Sequence, residues 1–334
     1  MKWLLFLALM ACEGAGDYVH YDNPPEIVRS DKTYALRDIV RDARIDILWV
    51  VDNSGSMGDI QANIVQNAAL FMQEFTKDNI MKWRMGVMST DKSQKPFLGF
   101  ETVFNNGTVD PVAKFQQAID DLGTNGDYSE YVFYNTTRGV GLTSPYNHFY
   151  RPDAHLAVIM VTDEPEQSEK DFGAQFETVT FLDSLRAMKS PDKIIRFYGA
   201  FQFPDLQDCS GYGDGYTDSP FEKIINLTDG IHMSTCVPDF GKNMAEIGRD
   251  IVSIIDTPRL LLEHRPVIKT IKVLFNGVEL PSGKEENGGY WYYSKYFNTV
   301  NFYNLDFAPD VSTSDIQIKY DVDDGFDHDE WRKK

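Results

Sequence analysis

The run Ile45-Asp46-Ile47-Leu48-Trp49-Val50-Val51 constrains the fold more than any other stretch: it is apolar at nearly every position and ends at Asp52. A strand with one wet face alternates apolar and polar residues, so a run like this predicts a strand covered on both faces, as in a parallel sheet. Past the Gly-Ser-Met-Gly turn at 55–58, Ile60, Ile64, Ala68, Phe71, Met72 and Phe75 fall at spacings of three and four and make one apolar helix face. Strand, acid, turn and amphipathic helix therefore follow one another at once.

The alternation repeats. Arg84–Ser89 reads as a second strand, and Phe97–Phe104 as an edge strand closed by the turn Asn105-Asn106-Gly107. Helices are expected over Val112–Leu122 and Tyr128–Arg138. His155–Thr162 is the clearest later strand and again runs into an acid, Asp163. Helix Phe176–Lys189, strand Ile194–Phe201, helix Phe221–Leu227, strand Gly230–Ser234 and helix Met244–Ile255 complete the series. This order predicts an α/β fold with a doubly wound, mostly parallel sheet over residues 41–257. In such sheets ligands collect at the carboxyl ends of the strands, where Asp52 and Asp163 stand.

After Thr257-Pro258 the helical period disappears. Short β-rich runs (Arg259–Glu263, Thr270–Phe275, Tyr290–Tyr293, Thr299–Tyr303, Asp315–Tyr320) and the hairpin signal Asn276-Gly277 predict a small all-β domain over 258–321, ahead of an acidic tail at 322–334. So few strands leave open edges, and residues near Thr33–Leu36 are candidates to add one from the amino-terminal side.

The amino terminus, Met1-Lys2 followed by apolar residues to Met10 and then Ala11-Cys12, has the layout of an export signal over 1–11. The apolar run is about half of the roughly 20 residues that a membrane crossing needs. Leu9-Met10-Ala11-Cys12 resembles a bacterial lipobox, which implies lipidation of Cys12, a membrane anchor and a tether over 12–40. Against 32 basic residues stand 51 acidic ones, a net charge of −19. Such a surface argues against nucleic acid as a partner and favours divalent cations nearby. Setting Cys12 aside leaves Cys209 and Cys236, an even pair for an oxidising compartment.

The first strand leads into Asp52-Asn53-Ser54-Gly55-Ser56, a D-x-S-x-S string. With this motif the stretch Arg41–Asp256 resembles the von Willebrand factor A (vWA) family. The resemblance implies a metal-ion-dependent adhesion site that binds magnesium, or manganese or calcium. Hard oxygens suit such ions: Ser54 and Ser56 offer hydroxyls, Asp52 a carboxylate, and Gly55 is expected to let the turn close tightly. The family's further ligands map onto Asp163 and onto a threonine, best matched by Thr124 in Gly123-Thr124-Asn125-Gly126, with Ser129, Thr136 and Thr143 as alternatives. The Asn-Gly-Asp insert at 125–127 departs from the family pattern. His155–Ser168, the late cysteines and Trp291-Tyr292 are similar to a subgroup of secreted bacterial vWA proteins, which implies a Cys209–Cys236 disulfide. Asp91, Glu164 and Glu166 read as a solvated acidic rim rather than a second calcium site.

No G-x-S-x-G, H-E-x-x-H or phosphate-loop string occurs, and the six histidines show no triad spacing, so no enzyme is expected. The expected function is envelope adhesion, with the metal gripping a carboxylate on a protein ligand. A scaffold lipoprotein with a fold-stabilising metal is the second reading, and a vWA subunit of an ATPase or chelatase machine the third.

Overall fold

The computed structural model describes residues 26–35, 44–76, 82–93, 103–141, 149–191, 193–206, 215–237, 239–256, 258–284, 287–295, 298–303 and 314–325. The main unit is a six-stranded sheet. Its strands are β2 (Arg44–Val51), β3 (Lys82–Ser89), β4 (Val103–Asn105), β5 (His155–Thr162), β6 (Ile195–Phe201) and β7 (His232–Ser234), in the spatial order β4-β3-β2-β5-β6-β7. All neighbours are parallel except the edge pair β3–β4.

β2 and β5 sit at the centre, and their side chains divide by the two-residue period of a strand. Ile47, Trp49 and Val51, with Ala157, Ile159 and Val161, face one core. Into that core α1 (Gly58–Thr76), α2 (Pro111–Asp120) and α7 (Phe240–Asp256) send Ile64, Phe71, Phe115 and Ile251. Leu48, Val50, Leu156, Val158 and Met160 face the other core, shared with α3 (Val132–Val140), α5 (Thr178–Ala187) and α6 (Pro220–Leu227). The apolar face expected for α1 is the buried one: Ile60, Ile64, Ala68, Phe71 and Met72 all lie in the first core.

One polar residue interrupts β2. Asp46 is fully buried and accepts from Arg151 Nε at 2.8 Å and from the Arg151 amide at 2.7 Å, with Lys189 Nζ at 3.8 Å. Burial raises its carboxyl above the usual range, while the two cations oppose the rise. The pair clasps the amino-terminal edge of the sheet.

The C-terminal unit has two antiparallel sheets and its own core of Leu260, Val273, Trp291, Val300, Ile316 and Ile318. One sheet joins β8 (Arg259–Leu261), β12 (Thr299–Phe302) and β11 (Trp291–Ser294). The other joins β1 (Arg29–Ala35), β13 (Asp315–Asp321), β9 (Lys272–Phe275) and β10 (Val278–Glu279). β1 pairs with β13 from Arg29↔Asp321 to Ala35↔Asp315, so the amino-terminal segment closes an edge that would stand open. Between β9 and β10, Asn276 and Gly277 take φ of 47° and 83°, the left-handed pair that a two-residue hairpin turn requires.

Three expectations shift. The helices read from Tyr128 and from Met244 begin at Val132 and at Phe240 instead; of the edge strand read over Phe97–Phe104, residues 97–102 lie outside the described residues and β4 begins at Val103.

Trp49 is 2% exposed and meets Phe71 edge-on at 5.0 Å and Phe115 at 4.9 Å between ring centroids. Trp49→Ala is expected to cost about 3–5 kcal/mol in urea denaturation. A loss below about 1 kcal/mol would show that this aromatic contact does not anchor the sheet to its helices.

Candidate metal centre

The site is assembled at the carboxyl edge of the sheet. β2 and β5 pair in register with Val51 opposite Val161, and the Asp52 amide donates to the Val161 carbonyl at 2.8 Å. Both strands end there, and each continues into an acid. Asp52 is completely buried; its Oδ1 accepts from the Ser54 amide at 2.7 Å and its Oδ2 from Thr162 Oγ1 at 2.8 Å. Asp163 is 1% exposed, and both of its carboxylate oxygens are buried without a hydrogen-bond partner. The Ser54 and Ser56 hydroxyls lie 3.1 Å apart, Ser54 buried and Ser56 exposed at the mouth.

Asn53, the variable position of the motif, organises the surrounding turns. Its Oδ1 accepts from Ser89 Oγ at 2.6 Å, its carbonyl from the Gly126 amide at 2.8 Å, and its Nδ2 donates to the Leu122 carbonyl at 3.5 Å. Gln61, one turn into α1, donates to the carbonyls of Asp52 and Gly123, both at 3.0 Å. The loop carrying Thr124 is thus fastened to the D-x-S-x-S turn from both ends. Thr124 itself is half-buried in this loop, and among the described hydrogen bonds none joins its hydroxyl to Asp52, Ser54, Ser56 or Asp163.

The tight approach falls on Gly126, not Gly55. A Cβ on Gly126 would stand 2.4 Å from Asn53 Oδ1, whereas one on Gly55 would meet nothing within 4 Å. Nor is Gly55 among the residues with positive φ, so the turn there does not need glycine.

A third acid joins the pair. Glu130, just before α3, is 1% exposed; its Oε2 accepts from Thr90 Oγ1, and its Oε1 is buried without a partner. Burial pushes its carboxyl well above the usual range, and the charges of Asp52 and Asp163 add to the rise. Burial likewise raises Asp52, which also feels Asp163, while the bonds from Ser54 and Thr162 hold it down. Glu130 escapes the sequence reading because it falls inside the stretch expected to be helix. The one cue is its place four residues past Gly126 at a loop-to-helix junction.

The acidic rim is largely built in. Asp91 is buried and accepts from the Ser93 amide at 2.7 Å. Glu166 receives the amides of Val132 and Phe133, at 3.0 and 3.3 Å, and that of Ser168 at 2.7 Å, and so satisfies first-turn amides of α3 and of the short helix α4 (Ser168–Phe172). Glu164 is nearest to the expected character: it is partly exposed, and burial and the charges of Asp163 and Asp52 raise its carboxyl. Cys12 and Cys209 lie outside the described residues. Cys236 follows β7, its amide donating to Ser234 Oγ at 3.1 Å.

Buried carboxylates without partners are costly, and in proteins they are compensated by protonation or by a cation. The donor set fits a hard divalent ion: carboxylates of Asp52 and Asp163 and hydroxyls of Ser54 and Ser56. Among the described residues no group of three or more His, Cys, Asp or Glu side chains is arranged to hold a metal. No described helix is long and apolar enough to cross a membrane.

No protein-family profile matches the chain, and no curated protein matches it by sequence. Among solved structures, proximal thread matrix protein 1 from the mussel byssus aligns over 65% of this chain and 49% of its own, at 13% identity and a TM-score of 0.40. The pilus adhesin SpaC from Lactobacillus rhamnosus GG, in its open conformation, aligns over 85% of this chain and 40% of its own, at 14% identity and a TM-score of 0.38. The chain spans less than half the length of either. Both likenesses are remote.

The raised carboxyls fix the sign of a pH effect. With chelator present, the folded state holds protons on Asp52 and Glu130 more tightly than the unfolded chain does. Their contribution to stability is therefore greatest in acid and falls as pH rises from about 4 through the folded values, pushed up to about 6 for Asp52 and about 9 for Glu130. Urea midpoints in chelator should show this fall, and it should be shallower in Glu130→Gln. An identical slope in the two proteins would remove Glu130 from the coupled cluster.

Proposed function

We propose that the chain is an exported, lipid-anchored bacterial envelope protein whose doubly wound main domain, of the vWA type, binds an acidic residue of a protein partner through a divalent cation. The observation that carries the reading is Asp163, an acid at the end of a central strand with both oxygens buried and unpartnered. Beside it stand the buried Asp52 and the hydroxyl pair of Ser54 and Ser56.

Asp52 and Asp163 would hold the ion from the sheet side, with Ser54 and Ser56 completing its inner contacts. A bound magnesium, manganese or calcium ion supplies a positive charge with a coordination position left for a carboxylate of the partner. The exposure of Ser56 puts the open side of the site toward solvent, where a partner can approach. Thr162 Oγ1 and the Ser54 amide fix the Asp52 carboxylate in place and leave Asp163 to respond to the ion. Thr124 is retained as a ligand candidate because its loop is tied to Asn53 through Gly126. The lipobox-like Leu9-Met10-Ala11-Cys12 supports export and anchoring through Cys12.

Asp163→Asn tests the centre with two effects of opposite sign. In chelator the variant is expected to be more stable than wild type by about 1–3 kcal/mol, because an unpaired buried charge has gone. Adding magnesium, manganese or calcium should stabilise wild type, by about 2.7 kcal/mol at a hundred times its Kd, and leave the variant unmoved. Equal metal responses in the two proteins would end the proposal. If the metal binds but capture of envelope proteins is the same in chelator, the adhesion part fails alone.

A further inference from the structure

A second site lies at the opposite edge of the sheet, where β6 begins. A cavity of about 890 Å³ opens there between the main unit and the C-terminal sheets. Small-ligand sites usually measure about 300–1,000 Å³. Its lining runs against the charge of the chain. Arg186 at the end of α5, Arg196 in β6, Arg259 in β8, and Arg265 and Lys295 from the C-terminal unit bring five cations to it, against two acids, Asp229 and Asp250. This happens in a protein of net charge −19.

Asp250 is already committed, since its Oδ2 takes Arg196 Nη1 at 2.9 Å and the Tyr198 hydroxyl at 2.7 Å. Arg196 is only 9% exposed, and its Nε is buried without a hydrogen-bond partner. Arg186 and Arg265 repel each other across the cleft, and burial together with that repulsion lowers Arg186 below its ordinary value despite Asp183. Like charges gathered in a half-buried cleft favour an anion between them, and planar guanidinium forks match the two oxygens of a carboxylate.

The remaining wall is uncharged, with Ile194, Leu227 and Ile254 as its apolar part. Tyr292, Tyr293 and Tyr303 line it, with the rings of Tyr292 and Tyr303 5.3 Å apart between centroids. Asn226, Ser294 and Asn301 add neutral polar groups. Flat aromatic faces suit a ring, and neutral amides and hydroxyls suit a ligand rich in hydroxyl groups. A bare inorganic anion would use the arginines but not this wall, and a neutral sugar would use the wall but not the cations.

We propose that this cleft binds an acidic saccharide of the uronic-acid type, its carboxylates toward the arginines and its ring faces on the tyrosines. The site is separate from the metal centre, since it lies where the strands begin and the acids lie where they end.

Calorimetric titration of the full chain with trigalacturonic acid, maltotriose and inorganic phosphate tests the assignment. Trigalacturonic acid is expected to bind, and the other two at least about tenfold more weakly. Arg265 and Lys295 are exposed, so the double variant Arg265→Gln, Lys295→Gln should keep its thermal midpoint yet lose about tenfold or more in affinity for the trisaccharide. Asp163→Asn should bind it as wild type does, which keeps this result distinct from any failure of the metal reading. Absence of binding, equal affinity for maltotriose or for phosphate, or undiminished affinity in the double variant would each overturn the proposal.

Discussion

The parallel pairing of β2 with β5 sets the terms for the rest of the molecule. With Val51 opposite Val161 and the Asp52 amide on the Val161 carbonyl at 2.8 Å, the two central strands finish level with each other. The residues that follow, Asp52 and Asp163, are therefore neighbours by construction. A slip by one residue would turn every side chain of β2 to the opposite face and exchange the two cores. The apolar residues that hold the register thus also hold the acids together, so the packing of the sheet and the geometry of the site have a common cause.

Two buried acids side by side make the protein less stable unless something compensates them, and the surrounding turns look built to keep them in place at that cost. Asn53 ties the first turn to Ser89, Leu122 and Gly126, and Gln61 ties it to Gly123. Thr162 and the Ser54 amide orient Asp52, and Thr90 orients Glu130. Apart from the Ser89–Asn53 pair, each of these bonds goes to backbone or to a carboxylate already engaged, and none reaches the oxygens of Asp163. Strain of this kind persists in proteins when the environment over-determines it, and it is common where a ligand supplies the missing interaction.

The sheet was legible because burial on both faces leaves a mark in the residue types: β2, β5 and β6 read as apolar runs, and α1 as a stripe. The hairpin at Asn276-Gly277 was legible because its backbone conformation restricts the residues that can adopt it. Glu130 and Glu166 were not legible. An acid with one methylene more than Asp has the same local signature whether it is solvated, capping a helix or facing a charged cluster, and only the tertiary contacts separate these roles. Gly55 and Gly126 illustrate the same limit from the other side. Inside a motif, a glycine invites a conformational reason, yet the steric need sits in a different loop, at a distance no sequence pattern encodes.

The two edges of the sheet carry opposite chemistry. At the carboxyl edge, Asp52, Glu130 and Asp163 gather three acids under a mouth that includes Ser56. At the amino edge, Arg186, Arg196 and Arg259 meet Arg265 and Lys295 across the junction with the C-terminal sheets. Burial makes each cluster costly on its own, because a low-dielectric surround strengthens repulsion between like charges. The length of the sheet separates the two clusters, one standing where the central strands end and the other where β6 begins. The arginines of the cleft are partly offset within the chain, Arg196 by Asp250 and Arg186 by Asp183, whereas the oxygens of Asp163 have no such partner. Across the junction Arg265 repels Arg186, so apolar and backbone contacts, not this charge, have to hold the C-terminal unit against the main one.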